Sequence, residues 1–298
     1  MNLLLTGGTG FLGKAIYKTF SPNVITLGRS SFSDISIDLS KEIPFFSERI
    51  DLVIHCAGKA HSVPKTEIQK KEFYEVNVIG TQNLLKGLEK SVLPKEFVFI
   101  SSVSVYGQDF GKNIDENHPL EAMDPYGLSK IEAEKIILDW CKVNNIICTI
   151  LRLPLLVGKN PPGNLGAMIN AIEKGYYFNI DGGKAKKSMV LAKDVASLIP
   201  KVATIGGIYN LTDGIHPSFS ELSIAISKQK KKKSSMNLPL FIAKFMGYAG
   251  DILGDKVPVN SLKIKKITSD LTFDDSKARK LLSWNPQSVL EYFKNNSL

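Results

Sequence analysis

The 298-residue chain is expected to fold as an α/β protein, a doubly wound parallel sheet carrying a smaller C-terminal lobe for substrate. Three observations predict this. Short apolar runs alternate with helical stretches through the first half. A glycine-rich string follows the first run, and the rhythm breaks near residue 154.

The strand candidates are NLLLT (2–6), NVITLG (23–28), DLVIHCA (51–57), EFVFISS (96–102) and ICTILRL (147–153). They are short and continuously apolar, as strands covered on both faces must be. Between them, FLGKAIYKTF (11–20), EFYEVNVIGTQNLLKGLEK (72–90) and SKIEAEKIILDWCKVN (129–144) repeat apolar residues at helical spacing. From 154, PLLVGKNPPGNLG is dense in Pro and Gly, and strand character returns at GGIYNLTDG (206–214). The expected division is a nucleotide-binding domain at 1–153, to which 185–212 return, and a small lobe from 154–184 and 213–298.

The net charge of +9 points to an anionic ligand. Much of the excess sits in SKQKKKKSS (227–235) and LKIKKITS (262–269). Such a run reads as a solvated loop. No aromatic residue interrupts the lysines of 228–233, so a nucleic-acid stacking platform is not expected. Cys56, Cys141 and Cys148 match neither a disulfide framework nor zinc spacing. That suits a reducing, cytoplasmic setting without a metal. The apolar stretch 238–254 is interrupted by Lys244 and Asp251. It reads as an amphipathic helix packed on the core rather than a membrane span, with membrane-surface contact as the alternative.

TGGTGFLG (6–13) opens the first helix directly after the first strand, which is the context of a Rossmann dinucleotide loop. Gly7, Gly10 and Gly13 would let backbone approach a pyrophosphate at the helix N-terminus. An acid normally follows the second strand to hold a ribose 2′-hydroxyl. Here Arg29 stands there instead, and its guanidinium suits a 2′-phosphate. The cofactor is therefore expected to be NADP(H) or NAD(H). Arg29 stacking on adenine, or facing solvent, is the other reading. Asp38 and Leu39 fall where an acid could meet the adenine amino group.

Tyr126 and Lys130 lie one helical turn apart behind Asp124-Pro125, so phenol and ammonium share a face. A nearby cation would bring the phenol, ordinarily near pKa 10, toward the working range of an acid/base. Ser101, Ser102 and Ser104 follow at the end of the fourth apolar run, where open α/β sheets bind ligands.

Together TGGTGFLG, IHCAG, NVIGTQNLL, SSVSVYG and PYGLSK resemble the extended short-chain dehydrogenases/reductases, in the NAD-dependent epimerase/dehydratase group that acts on nucleotide sugars. The resemblance runs through nearly the whole chain. It implies Tyr126 as catalytic acid/base, Lys130 as the residue holding the nicotinamide ribose, and Ser102 as the catalytic hydroxyl. It places Phe11 and Leu12 in the cofactor loop, with Ala57, Gly58, Asn77, Ser101 and Pro154 along the cofactor. Ser104, Asn164, Leu165 and Lys187 would meet substrate, Lys187 standing where an arginine usually clamps the diphosphate. Asp274, Lys277 and Trp284 belong to a structural C-terminal signature. His61 flanks the loop after Gly58. A homodimer is usual in the group.

Val103 and Ser104 replace the Asp-Glu pair that sugar dehydratases carry, and a Cys/His pair for epimerisation at C3 or C5 is not evident. Hydride transfer at C4 remains. The preferred reading is reduction of a UDP-4-keto-(6-deoxy) N-acetylhexosamine. The alternatives are a UDP-sugar 4-epimerase with tightly held NAD and, more remotely, a non-catalytic dinucleotide sensor.

Overall fold

The computed structural model describes residues 2–60, 64–253 and 260–295. The N-terminal half runs β1 (Leu3–Thr6), α1 (Phe11–Phe20), β2 (Val24–Gly28), β3 (Ile35–Ser36), β4 (Leu52–His55) and α2 (Glu67–Tyr74). A π turn at Glu75–Ile79 leads into α3 (Gly80–Glu89), β5 (Glu96–Ser102), β6 (Gly111–Ile114), α4 (Pro125–Val143) and β7 (Ile147–Leu153). Next come β8 (Leu155–Val157), α5 (Gly163–Glu173), β9 (Phe178–Ile180), β10 (Met189–Leu191), α6 (Ala192–Ala203) and β11 (Gly207–Asn210). The chain ends with α7 (Phe219–Gln229), β12 (Met236–Leu238), α8 (Leu240–Leu253), α9 (Ser261–Thr268), β13 (Leu271–Phe273), α10 (Ser276–Leu282) and α11 (Val289–Asn295).

The main sheet has seven strands in the order β11-β7-β5-β4-β1-β2-β3. Every pairing in it is parallel. The order reverses direction beside β1, and ligands of such sheets sit at that switch point, beyond the strands' C-terminal ends. Strand alternation divides the core. Leu3, Leu5, Leu52, Ile54, Val98 and Ile100 face α1 and α6. Leu4, Val53, Phe97 and Phe99 face α3 and α4. Full burial of each such side chain is worth roughly 1.5–3 kcal/mol, which is why a β-slip here would be costly.

A separate cluster, including Met168, Leu222 and Phe293, packs α5, α7 and α11 together. β8 pairs with β10 outside the main sheet, whereas β11 joins it beside β7. α8 departs from the expectation of core packing. Only Ala243, Gly247 and Gly250 are buried, and its aromatic residues face outward. A side chain on Gly247 would come within 3.1 Å of Ser261 Cα, so small residues let α8 lie directly against α9. Among the described residues, no helix is long and apolar enough to cross a membrane.

Candidate active site

Two glycines shape the first loop by necessity. Gly7 has φ +71°, and a Cβ there would stand 2.7 Å from Ala57 N. A Cβ on Gly13 would stand 2.1 Å from Gly7 O, so α1 can pass over the loop only without one. Gly10 caps α1 with extended backbone and no side-chain hydrogen bond, leaving the helix amides to an anion. These features fit the pyrophosphate of a dinucleotide. Phe11 is half-buried and approaches Gly158, where a Cβ would meet its ring at 3.0 Å. Leu12 is buried in the sheet core, so its side chain packs α1.

Arg29 is exposed just beyond β2. The first acid after it, Asp34, is engaged by Thr26, accepting its backbone N–H and hydroxyl at 2.8 Å each. Partial burial of Asp38 raises its carboxyl pKa, but hydrogen bonds from Ser40 and the charge of Arg29 leave it below the ordinary value. Leu39 is buried, and its carbonyl accepts from Asn83 at 2.8 Å.

Beneath the loop runs a chain of buried polar groups. Thr6 Oγ1 meets His55 Nδ1 at 2.7 Å, and His55 Nε2 meets Thr81 Oγ1 at 2.9 Å. Thr6 Oγ1 also accepts from Ala57 N at 3.0 Å. Burial, and then the Lys130 charge, push the His55 pKa down to about 3, so the ring is neutral. Asn77, carried on the π turn, accepts from Lys59 N at 2.6 Å through Oδ1. Its amide donates to Ser129 Oγ at 2.8 Å, and Ser129 donates to Tyr126 O at 2.7 Å. The network thus ties the strand ends to the start of α4. A Cβ on Gly58 would stand 3.1 Å from Asn77 Oδ1 and 3.5 Å from Lys130 Nζ, so only backbone lines that spot.

Asp124 caps α4, accepting from Tyr126 N and Gly127 N at 3.1 Å each, with Pro125 next. That cap aims the half-buried Tyr126 toward the end of β5. Burial raises the phenol's pKa, and a hydrogen bond with Ser102 counters it. Ser102 in turn caps the short 3-10 turn Val103–Tyr106, its Oγ lying 3.1 Å from Ser104 N and from Ser104 Oγ. Lys130 follows one turn later. The i, i+4 spacing gives a shared face, but the longer lysine stem reaches back to β5. Its Nζ donates to Ile100 O at 2.9 Å and sits 4.4 Å from the Phe99 ring centroid. Burial brings its pKa down to about 8, opposed by Cys56 and Glu134. Burial pushes the Cys56 thiol up to about 11, as suits a packing residue.

Ser101 points to the other side of β5 from Ser102. Its hydroxyl donates to Glu134, which receives Arg152 in a forked pair, the shortest contact being 2.7 Å. Both charged side chains are almost fully buried. Arg152 also donates to Tyr106 Oη at 3.2 Å, and Tyr106 donates to Asn210 Oδ1 at 2.7 Å. The sequence reading missed this anchor of α4. Two signals for it were present: an arginine inside the apolar run ICTILRL, and an acid one turn beyond Lys130.

Pro154 is half-buried between β7 and β8. Asn164 is exposed in the first turn of α5, whereas Leu165 is a core residue whose backbone alone is available. α5 has no side-chain N-cap, another anion-receptive helix start. Lys187 is half-buried and donates to Lys266 O at 3.0 Å. Burial lowers its pKa, opposed by Asp270 and Asp109. A cavity of about 470 Å³ lies along α5, lined by Asn160, Asn170, Glu173 and Lys230 among others, and not by Tyr126. His61 lies outside the described residues. Among the described residues no cluster could hold a metal ion.

Known proteins show the same plan. The N-acetyl-α-D-glucosaminyl-diphospho-ditrans,octacis-undecaprenol 4-epimerase of Escherichia coli O157:H7 is 29% identical, covering 93% of this chain and 88% of that protein. The UDP-glucose 4-epimerase of Vibrio cholerae is 28% identical, covering 99% and 94%. The crystal structure of a UDP-glucuronic acid 4-epimerase from Bacillus cereus in complex with NAD superposes with a TM-score of 0.74 at 19% identity, covering 100% of this chain and 95% of that one. The model of the NAD dependent epimerase/dehydratase family matches residues 3–211, and the chain belongs to that family.

Proposed function

We propose that the protein is a sugar 4-epimerase that works on a sugar carried by a diphosphate and retains NAD(H) at its glycine loop. The observation that carries the reading is the half-buried Tyr126, held by the Asp124 cap at the start of α4 and one turn from a buried lysine whose Nζ reaches the C-terminal end of β5. NAD, when bound, supplies the acceptor and donor for a hydride at the sugar C4.

Gly7, Gly10 and Gly13 would hold its pyrophosphate, Asp38 its adenine, and Lys130 with Asn77 the nicotinamide end. Tyr126 Oη is the atom that takes the proton from the 4-hydroxyl and returns it to the same oxygen. Ser102 Oγ orients that oxygen. Burial leaves the resting phenol protonated, so the base form has to be drawn out by ligands placed against it. Asn164, the Leu165 amide and Lys187 would grip the diphosphate. The diphosphate's other end is a uridine or a polyprenyl chain, the two carriers in the names of the curated relatives. We further infer a homodimer, to be checked by sedimentation velocity.

A second reading, a C4 ketoreductase using NADPH, is favoured by one feature. Arg29 stands where an acid would accept a ribose hydroxyl, and Asp34 is already engaged with Thr26. The deciding experiment incubates purified protein with UDP-N-acetylglucosamine and with its polyprenyl-diphosphate counterpart, following C4 inversion by NMR. Inversion without added cofactor is expected. NADPH-dependent reduction of a 4-keto sugar without inversion would transfer the assignment to the second reading. Tyr126→Phe should lower turnover by about 10²–10⁴-fold while leaving dinucleotide binding intact. Unchanged turnover would remove the mechanism.

A further inference from the structure

Helix α8 is built inside out. Its buried stripe is Ala243, Gly247 and Gly250, whereas Phe241, Phe245, Tyr248 and Ile252, spaced by four, three and four residues, form one outward stripe. Their exposures are 74, 74, 63 and 86%. Ile242, Met246 and Leu253 border the stripe and are exposed too. A water-facing helix normally shows the opposite distribution, and a contiguous apolar patch marks an interaction surface.

The charge around this face says what it meets. By sequence alone, residues 228–268 carry ten lysines against two aspartates, of which Lys230 is paired with Glu173 and Lys266 with Asp109. Lys231, Lys232 and Lys233 are exposed shortly before α8, and Lys265 is exposed on α9, which packs against it. Two copies meeting through so positive a face would repel each other. An anionic lipid surface attracts the lysines and accepts the aromatic and aliphatic stripe at the headgroup–acyl boundary. We propose that α8, with the lysines before it and on α9, docks the protein on an anionic membrane surface. The same α9 carries the Lys266 carbonyl that Lys187 meets. Docking would therefore bring the lobe proposed to grip the diphosphate down to the membrane, within reach of a lipid-linked sugar. The inference does not depend on which sugar is turned over.

The test is co-sedimentation of the full chain with vesicles of phosphatidylcholine and phosphatidylglycerol at 7:3, compared with phosphatidylcholine alone. Binding to the anionic vesicles, weakened by salt and at least tenfold stronger than to neutral ones, is expected. Phe241→Ser/Phe245→Ser/Ile252→Ser should lower it at least tenfold with an unchanged melting curve. Lys231→Gln/Lys232→Gln/Lys233→Gln, away from any packed residue, should lower it too and flatten the salt dependence. Wild-type protein left in the supernatant would overturn the proposal. So would a triple α8 variant that binds as well as wild type, or one whose sedimentation coefficient drops from dimer to monomer, which would mark the face as a joint between copies.

Discussion

The end of β5 and the outer face of α8 solve opposite problems. Around Glu134 and Arg152, charges lie in the protein interior and each has a named partner. On α8, apolar rings lie in water with nothing from the described chain over them. The first arrangement holds a geometry at the cost of desolvation; the second leaves apolar surface exposed. The contrast teaches that position in this molecule follows the task of the region rather than polarity alone.

Breaking the interior pair should have the largest effect. Glu134→Ala leaves Arg152 buried without its counter-charge, a loss of about 3–5 kcal/mol, read as a melting point lower by about 10 °C. Glu134→Leu/Arg152→Met should recover much of that stability. Next comes Gly13→Ala, where the methyl would press on Gly7 O. We expect a loss of about 1–3 kcal/mol together with loss of dinucleotide binding by fluorescence titration.

A smaller effect should appear on acidification. His55 has its pKa depressed from 6.5 to about 3 in the folded state. Between those values only the unfolded chain takes up the proton, so this stability is whole above 6.5 and falls as pH drops toward 3. The slope is about 1.4 kcal/mol per pH unit, and His55→Gln should flatten the urea midpoint measured between pH 7 and 5. The smallest effect is Phe241→Ser, within about 0.5 kcal/mol. A large loss there would mean α8 is part of the core after all.

Much of the nucleotide half was legible in the sequence because its signals are local. Strand runs, the glycine string and the Tyr–Lys spacing each declare themselves within a few residues. The polar partnerships were not legible. Thr6–His55–Thr81 spans 75 residues of chain, and Glu134–Arg152 joins a helix to a strand, so each depends on how elements pack. The lysine stem is a related case, since spacing sets a face but not how far a long side chain reaches along it. For α8, apolar content was read as burial, whereas the direction of the large residues depended on three small ones letting α9 come close. Asn164 and Lys187 stood out only through resemblance, since an exposed amide and a half-buried amine carry no periodic signature.

The π turn at Glu75–Ile79 has one further consequence. A π winding holds one residue more than an α turn, and one residue is about 100° of helical rotation. The two halves of the rod, Glu67–Tyr74 and Gly80–Glu89, are thereby set out of phase, and Asn77 sits at the offset. Deleting a single residue here would rephase the rod and rotate one half against the other, stranding Lys59 N and Ser129. Length variation, harmless in most surface loops, is ruled out along this helix by counting alone.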